Sequence, residues 1–355
     1  MSSEAVRPPA ADAPPCVVRR LTLADRARWD AFVEAWPQAT FFHRAGWAEV
    51  IRRAFGHETV FLYAEGDDGI EGVLPLARVR SLLFGHALVS LPFCVYGGIA
   101  ARTDAAFAAL DRAARDLARE YRVDHLEYRH RQPQHPDWPT KDLYFTFRKT
   151  LEPEVEANLN AIPRKQRRMV RKGIKAGLTS TLDADAGRFF PIYAANVHRM
   201  GTPVFGRHYF DILREVFGDA CQVLTVTDGD EPVASVVSFY FRDEVLPYYG
   251  GGTPRARAVA GYDFLYWELM RRACESGLQL FDFGRSKRDT GSYSFKKNWG
   301  FEPEPLYYEY DLVRATEVPN VNPLNPRYRH FIAAWKRLPL PVANTLGPWL
   351  ARALG

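Results

Sequence analysis

The segment 280–301, LFDFGRSKRDTGSYSFKKNWGF, collects the cations whose spacing is most suggestive of chemistry. Apolar residues typical of a strand lead into Asp282, and Arg285, Lys287 and Lys296 follow it. Positioned cations can steady a developing oxyanion or a leaving group. The same run could also be a basic loop without a catalytic role. The structural elements around it therefore have to be considered before a role is assigned.

The triplet DFG at residues 282–284 also occurs in protein kinases. A kinase additionally needs a glycine-rich loop over the phosphates, a strand lysine and an HRD catalytic loop followed by Asn. The chain offers HRM at residues 198–200, without such a loop before it. The sequence therefore argues against a kinase.

Other catalytic patterns are missing from the sequence. There is no GxSxG elbow, and no serine or cysteine is flanked by signals of an activated nucleophile. The histidines near residue 130 resemble core or loop histidines more than metal ligands, so no metal site is predicted; the set considered is His125, Glu127, His130 and His135. The four cysteines form no CxxC pair and are predicted to be reduced, buried thiols: Cys16, Cys94, Cys221 and Cys274.

A second concentration of positive charge is the segment PRKQRRMVRKGIKAG, which starts at Pro163 and contains no acidic residue. Proline suits the first turn of a helix, and helical spacing puts Arg164, Arg168 and Arg171 on one face. Such a face is either simply solvated or a phosphate-binding surface for nucleic acid or a nucleotide-linked substrate.

Bulk properties limit the classes that remain. With 355 residues and a formal charge of +5, the chain is long enough for two domains and only mildly basic. No run approaches the roughly 18 apolar residues of a membrane span. Residues 1–15 lack a secretory pattern and are predicted to be a disordered lead to a cytoplasmic protein.

The chain contains an internal sequence repeat. In each half, a predicted hairpin is followed by a strand, a tyrosine-glycine turn, a helix and another strand. Tyr96-Gly97-Gly98 in the first half corresponds to Tyr249-Gly250-Gly251 in the second. The sequence therefore predicts two copies of a mixed α/β unit, at residues 16–150 and 151–315.

The elements around these units are also predictable. An apolar helical stripe opens the first unit, with Phe42, Trp47, Val50, Ile51 and Phe55. The break at 201–203 is expected to leave His198 near a loop. Residues 316–355 form a proline-punctuated amphipathic tail with Tyr328, Phe331, Ile332 and Trp335 on one stripe. The tail could lie on a membrane surface or fold back on the protein, and its short stripe favours folding back.

Several of these motifs resemble the FemAB family. They are the basic helix PRKQRRMVRKGIKAGL, the turn YYGGG and, above all, SYSFKKNWGFE, which is similar to the FK-x-x-FG signature of that family. GTPVFGRHYF, DFGRSK and the tail look most like FemAB-like proteins of exosortase (PEP-CTERM) and exopolysaccharide systems. The resemblance implies two tandem GNAT-like domains, each with a mixed sheet flanked by helices.

The resemblance also implies an activity, N-acyl or aminoacyl transfer to an amine of a cell-envelope, peptidoglycan or exopolysaccharide precursor. Lys296 matches the signature lysine and, with Arg285, is expected to supply the catalytic cations. Asp282 is a base or, preferably, a structural partner of Arg285, because only one face of a strand can meet the cleft. The remaining expected substrate-binding residues are Tyr248, Tyr249, Tyr293, Lys287, His198, Arg164, Arg168 and Arg171.

The sequence departs from the family in two places, which leaves the acyl donor open. No stretch between the units is long enough for the coiled-coil arm that some Fem enzymes use towards transfer RNA. The acetyl-CoA loop [RQ]-x-x-G-x-[GA] is displaced by one residue at 257–261. We expect no permanently bound cofactor, and a donor that is either aminoacyl-tRNA or acyl-CoA.

The expected partners are an envelope or polysaccharide precursor, transfer RNA, and a membrane surface through the tail, which would place the protein at the inner face of the membrane. Two alternatives remain, an ordinary acyl-CoA N-acyltransferase and a non-catalytic GNAT-fold module of a polysaccharide or exosortase system.

Overall fold

The computed structural model describes residues 16–81, 85–319 and 329–353. The predicted lead at 1–15 and the tail residues 320–328, which include Tyr328, lie outside these ranges. The first half of the chain contains β1 (Val17–Arg20), α1 (Arg26–Ala35), α2 (Gly46–Phe55), β2 (Glu58–Gly66), β3 (Gly69–Ser81), β4 (Gly85–Ser90), β5 (Ala100–Ala101), α3 (Asp104–Glu120), β6 (His125–His130), β7 (Thr140–Lys141) and β8 (Tyr144–Thr150).

The second half repeats the alternation of helices and strands. It contains α4 (Val155–Ala161), α5 (Arg164–Lys175), β9 (Thr179–Asp183), α6 (Phe189–Met200), α7 (Arg207–Phe217), β10 (Cys221–Asp228), β11 (Glu231–Phe241), β12 (Glu244–Gly252), α8 (Pro254–Val259), α9 (Gly261–Glu275), β13 (Leu280–Asp282), β14 (Ser286–Lys287), α10 (Gly291–Asn298), β15 (Pro303–Pro305), β16 (Tyr307–Leu312), α11 (Arg329–Trp335) and α12 (Leu340–Ala351). Short 3₁₀ turns precede α2 and β10.

These strands form two mixed sheets flanked by helices, as predicted. The first sheet has the order β1-β2-β3-β4-β6-β16-β7, with β5 on β3; the second has the order β14-β8-β13-β12-β11-β10-β9, with β15 on β8. Each sheet has one parallel pair, β4 with β6 and β12 with β13. In the second sheet this pairing lasts only from Glu244 opposite Leu280 to Val245 opposite Phe281, after which the strands part.

The two sheets exchange strands. β8, from the sequence assigned to the first unit, pairs with β13 in the second sheet. β16, from the sequence assigned to the second unit, pairs with β6 and β7 in the first sheet. A division near residue 150 therefore does not separate the two sheets.

Apolar residues are divided among three main layers. One packs α3 against the outer face of the first sheet, and another packs α5 and α9 against the outer face of the second. The largest lies between the sheets and contains α1, α2, α6 and α7. All five residues of the predicted stripe around α2 are buried there, which confirms their assignment to the core.

Three smaller predictions from the sequence can be compared with the structure. The helix α6 ends at Met200, with Gly201 at φ +81°, which confirms the predicted break. Cys94, Cys221 and Cys274 are buried thiols, whereas Cys16 is only half-buried. In the predicted stripe of the tail, Trp335 is buried, Ile332 half-buried and Phe331 exposed.

The strand exchange makes a prediction about fragments. Residues 16–150 expressed alone lack β16, which leaves an edge of β6 unpaired, and carry β8 without its own sheet. We expect this fragment to show no cooperative unfolding transition in urea, followed by tryptophan fluorescence. Addition of a fragment 151–353 should restore the transition, and a cooperative transition in the isolated fragment would contradict the dependence on β16.

Candidate active site

Lys296 is held on the inner side of α10. Its ammonium donates to the carbonyls of Gly284, at 2.8 Å, and Arg285, at 3.1 Å. The rings of Phe147 and Phe283 lie 5.4 and 5.7 Å from its Nζ. The side chain of a lysine rarely becomes this buried, and only 8 % of Lys296 remains exposed.

Burial lowers the pKa of Lys296 to about 7. Withdrawal from water disfavours the charged ammonium, and the nearby Arg285 adds to the effect, while Asp282 opposes it. A lysine with a pKa near neutrality can exist as the free amine and accept a proton at physiological pH.

The segment 282–284 is an Asx turn rather than a nucleotide-binding motif. The buried carboxylate of Asp282 accepts a hydrogen bond from the Gly284 N–H at 2.8 Å, and Gly284 has φ +68°, a conformation that favours glycine. The same carboxylate accepts bonds from Tyr96, at 2.8 Å, and Thr146, at 3.2 Å. The ion-pair partner of Asp282 is Arg148, at 3.3 Å, and not Arg285 as expected.

Arg148 was missed because it comes from β8, the strand that crosses to the second sheet. In the register of this pairing, Asp282 lies directly opposite Arg148. Asp282 is therefore a structural partner, as preferred from the sequence, but its partner could only be identified from the sheet order.

A cavity of about 130 Å³ lies between the two sheets. The exchanged strands β8 and β16 both contribute to its wall, together with β3, β4, β6 and β7. Its charged and aromatic lining residues are Phe93, His125, Glu127, Arg129, Lys141, Tyr144, Arg285, Tyr308 and Tyr310.

Arg285 is the residue by which the segment after β13 reaches this cavity. Its guanidinium donates to the Tyr308 hydroxyl at 2.8 Å and lies 4.5 Å from the centre of the Tyr144 ring. Lys287, two residues on, lies 6.0 Å from the same ring. Burial, together with Arg285 and Lys141, lowers the pKa of Lys287 to about 8.

The cavity has an excess of positive charge. Arg129, Lys141 and Arg285 face a single carboxylate, Glu127, whose oxygen accepts from the Arg129 Nε at 2.6 Å. Burial would raise the pKa of Glu127, but Arg129 and its neighbours hold it below its usual value, so the group stays ionised. Such a site is suited to an anionic group such as a carboxylate or a phosphate.

Sequence reasoning did not identify Arg129 and Lys141 as site residues. The available signal was in β6, HLEYRH, where Glu127 and Arg129 are two residues apart and therefore share a strand face. Charged residues on a fully buried strand have to be paired, and here they face the cavity.

Lys296 and the Arg285 guanidinium approach the segment 283–285 from different sides. Lys296 lies among the aromatic residues beneath α10, including Phe283, whereas Arg285 stacks on Tyr144 at the cavity. The two cations predicted to act together are therefore joined through the Arg285 carbonyl and not by a shared open cleft.

The three tyrosines predicted to bind substrate pack against other residues of the protein. The Tyr248 hydroxyl donates to the Phe93 carbonyl at 3.1 Å, and the Tyr249 hydroxyl lies 2.9 Å from that of Tyr209. Tyr293 packs edge-on against aromatic rings of β8. In this geometry Tyr248 joins the second sheet to the loop after β4.

The glycines at 250–252, which follow Tyr248 and Tyr249, belong to strand β12 and do not form the predicted turn. A Cβ on Gly251 would lie 3.1 Å from the Ile192 carbonyl of α6, and one on Gly252 would lie 2.6 Å from the Tyr262 ring. Close approach of α6 and α9 explains why side chains are missing here. The backbone of these glycines pairs with β11.

The remaining predicted residues lie away from the cavity. Arg164, Arg168 and Arg171 are exposed on α5, on the outer face of the second sheet, although Pro163 before them contacts Gly300 after α10. The His198 Nε2 lies 3.1 Å from the Trp335 carbonyl, so this ring contacts the C-terminal segment.

Two of the histidines considered as metal ligands, His130 and His135, form a hydrogen-bond network with Glu309. His130 accepts the Ile99 N–H on Nε2, so the neutral ring carries its proton on Nδ1, which donates to Glu309 at 3.0 Å. Against the effect of burial, Asp111 and Glu309 raise the pKa of His135 to about 9. The network ties the loop after β6 to β16.

Comparisons with known proteins agree with this architecture. A family model described as an acetyltransferase (GNAT) domain matches residues 160–297. No curated protein matches the sequence. The crystal structure of FemX superposes with a TM-score of 0.64 at 15 % identity, covering 89 % of this chain and 100 % of that one.

Two further solved structures share the fold. L-PGS from Bacillus licheniformis gives a TM-score of 0.53 at 13 % identity, covering 93 % of this chain and 97 % of the other. A tandem GNAT protein from the clavulanic acid biosynthesis pathway gives 0.51 at 13 % identity, covering 83 % and 97 %.

The buried ion pair at the sheet junction can be tested by substitution. Asp282→Ala leaves Arg148 with one carboxylate partner fewer and removes the acceptor of three other hydrogen bonds, so we expect a loss of about 3–5 kcal/mol in the free energy of unfolding. Asp142→Ala, which removes an exposed partner of Arg288, is the control and should cost less than about 1 kcal/mol. Equal effects in urea titrations would contradict the assignment.

The lowered pKa of Lys296 predicts how stability depends on pH. Between about pH 7 and pH 10.5 the unfolded chain holds a proton on this lysine that the folded chain does not, so Lys296 contributes a rise of the free energy of unfolding with pH. Lys287 contributes a further rise above about pH 8, and His135 a fall below about pH 9, so the contribution of Lys296 is the difference between two profiles. The profile of Lys296→Met should rise less steeply than that of the wild type, whereas Lys297→Met, an exposed neighbour on α10, should follow the wild type. Parallel profiles for the wild type and Lys296→Met would contradict the prediction.

The strand order and the similarity to solved structures together show that the chain folds as two tandem GNAT-like units. Each sheet receives a strand from the other half of the chain.

Proposed function

We propose that the protein is a FemAB-like N-acyl or aminoacyl transferase acting on an amine of a cell-envelope, peptidoglycan or exopolysaccharide precursor. This proposal rests on the geometry of the backbone segment 284–285. Lys296 donates hydrogen bonds to its two carbonyls from one side, and the Arg285 side chain enters a cationic cavity on the other.

The reaction has a simple balance. The acceptor nitrogen forms a bond to the acyl carbon of the donor, the carbon–oxygen or carbon–sulfur bond to the leaving group breaks, and the nitrogen loses a proton. Charge develops on the carbonyl oxygen and on the leaving group, so cations placed nearby lower the barrier. The proton released by the nitrogen passes to solvent water.

The residues divide between these tasks. Arg285 and Lys141 supply positive charge at the cavity, where they bind the anionic part of a substrate or the developing oxyanion, and Lys287 adds charge beside them. Lys296, on the other side of the segment 284–285, fixes the direction of the Arg285 backbone through its two carbonyl contacts.

The donor we favour is an aminoacyl ester on transfer RNA. The exposed arginines of α5 offer a basic face for its phosphates: Arg164, Arg168 and Arg171. Within the described part of the chain, none of these arginines forms an ion pair, so their charge is available to a polyanion. An envelope precursor as acceptor implies work at the inner face of the membrane.

An acyl-CoA donor is the second candidate, because residues 160–297 match the acetyltransferase (GNAT) domain model. The displaced acetyl-CoA loop counts against it. In the structure this loop is the end of α8, with Ala260 at φ +61° before α9 begins at Gly261.

A direct assay separates these donors. The purified protein is incubated with an extract of envelope and polysaccharide precursors and with either radiolabelled aminoacyl-tRNA or radiolabelled acetyl-CoA. Label that resists mild base marks an amide and not an ester. We expect label from aminoacyl-tRNA, and a rate at least about 100-fold lower in Lys296→Met and Arg285→Met, as for loss of one oxyanion-stabilising group.

Matched controls on the same segment are Lys297→Met and Arg288→Met, which remove exposed cations and should leave the rate unchanged. Lys296→Arg should not restore the rate, because the larger planar guanidinium cannot reproduce the two carbonyl contacts of the buried ammonium. Label from acetyl-CoA alone would favour the second candidate. Label from neither donor would favour a non-catalytic module.

A further inference from the structure

The C-terminal helix α12 presents an apolar stripe to solvent. Val342, Leu346 and Trp349 are 41 %, 46 % and 65 % exposed. Their spacing of four and three residues puts them on one face of the helix. Exposed Trp and Leu on a single face are costly in water and indicate a surface that is covered in function.

The opposite face of α12 is fixed to the protein by small residues. Ala343, Gly347 and Ala351 are buried, and a Cβ on Gly347 would lie 2.8 Å from a methyl carbon of Val204. The helix end is held by His57, whose Nε2 lies 2.7 Å from the Arg352 carbonyl. The apolar stripe therefore cannot turn inward without breaking this packing.

The segment around the stripe carries positive charge only. Residues 329–353 contain four arginines and lysines and no acidic residue. The cations are Arg329, Lys336, Arg337 and Arg352. None of them forms an ion pair with any residue in 16–81, 85–319 or 329–353. Their charge remains available to an anionic surface.

We propose that α12 docks, with its apolar stripe inward, on the surface of a bilayer that contains anionic lipids. A helix of 12 residues is about 18 Å long, too short to cross the hydrocarbon core, and no described helix is long and apolar enough to do so. Helices that lie in the interface combine an apolar face with basic flanks, and tryptophan prefers the headgroup level.

The docking surface is continuous with the cavity between the sheets. Ala353, just after α12, lines that cavity. A bilayer beneath α12 would therefore place the cavity within about one helix length of the lipid headgroups. On the proposed function, on which this step rests, the acceptor amine belongs to a lipid-anchored precursor.

Vesicle co-sedimentation tests the docking independently of catalysis. The full chain is mixed with vesicles of phosphatidylcholine alone or with roughly 30 % phosphatidylglycerol. We expect sedimentation with the anionic vesicles only, weakening as salt is raised. The double variant Leu346→Ser/Trp349→Ser should lower the partition coefficient at least about tenfold.

The matched control is Leu23→Ser, which removes an exposed leucine far from α12 in sequence and should bind as the wild type does. Urea titrations of all variants check that folding is unchanged. No binding by the wild type, or equal binding by the double variant, overturns the proposal. Concentration-dependent dimers that the double variant abolishes, without vesicle binding, assign the stripe to a second copy instead and also overturn it.

The two proposals fail separately. If the wild type binds vesicles but forms no amide from either labelled donor, the docking surface stands and the transferase proposal falls. If amide forms from the precursor extract equally in the wild type and the double variant, and neither binds vesicles, the transferase stands and the docking surface falls.

Discussion

The exchange of β8 and β16 is the constraint on which the rest of the structure depends. β16 pairs with β6, and β8 pairs with β13, so each sheet is complete only when the other half of the chain has crossed over. An unpaired strand edge exposes backbone groups that must find partners. Because both exchanged strands line the same cavity, the strand exchange that joins the sheets also forms the site.

The repeat, the two mixed sheets and the buried stripe of α2 were predictable because hydrophobic periodicity and glycine turns are local signals. The strand exchange was not, since the segments of β8 and β16 have the same local pattern in either sheet. The pairing of Asp282 with Arg148 was missed for the same reason. Lys296 was found by its motif, but its contact with two carbonyls follows from the positive φ of Gly284, which no spacing rule supplies.

The two copies of the fold have diverged where their parallel strands part. In the first sheet the loop after β4 fills this region: Arg129 donates to the carbonyls of Cys94, at 2.7 Å, and Leu91, at 3.3 Å. In the second sheet the corresponding region is lined by Phe283 and held by Lys296. One copy thus contributes structure and charge, and the other contributes the buried amine. The lowered pKa of Lys296, about 7, belongs to the second copy, whereas the raised pKa of His135, about 9, belongs to the first.

The exchanged strand β16 also orders events in time. Residue 150 leaves the ribosome well before residue 312, and at 5–20 residues per second the first sheet waits about 10 to 30 s for its missing neighbour. During that interval the edge of β6 carries Glu127 and Arg129. Charged side chains on an open edge discourage pairing with other chains. The polar residues that later face the cavity therefore also protect the nascent protein from aggregation.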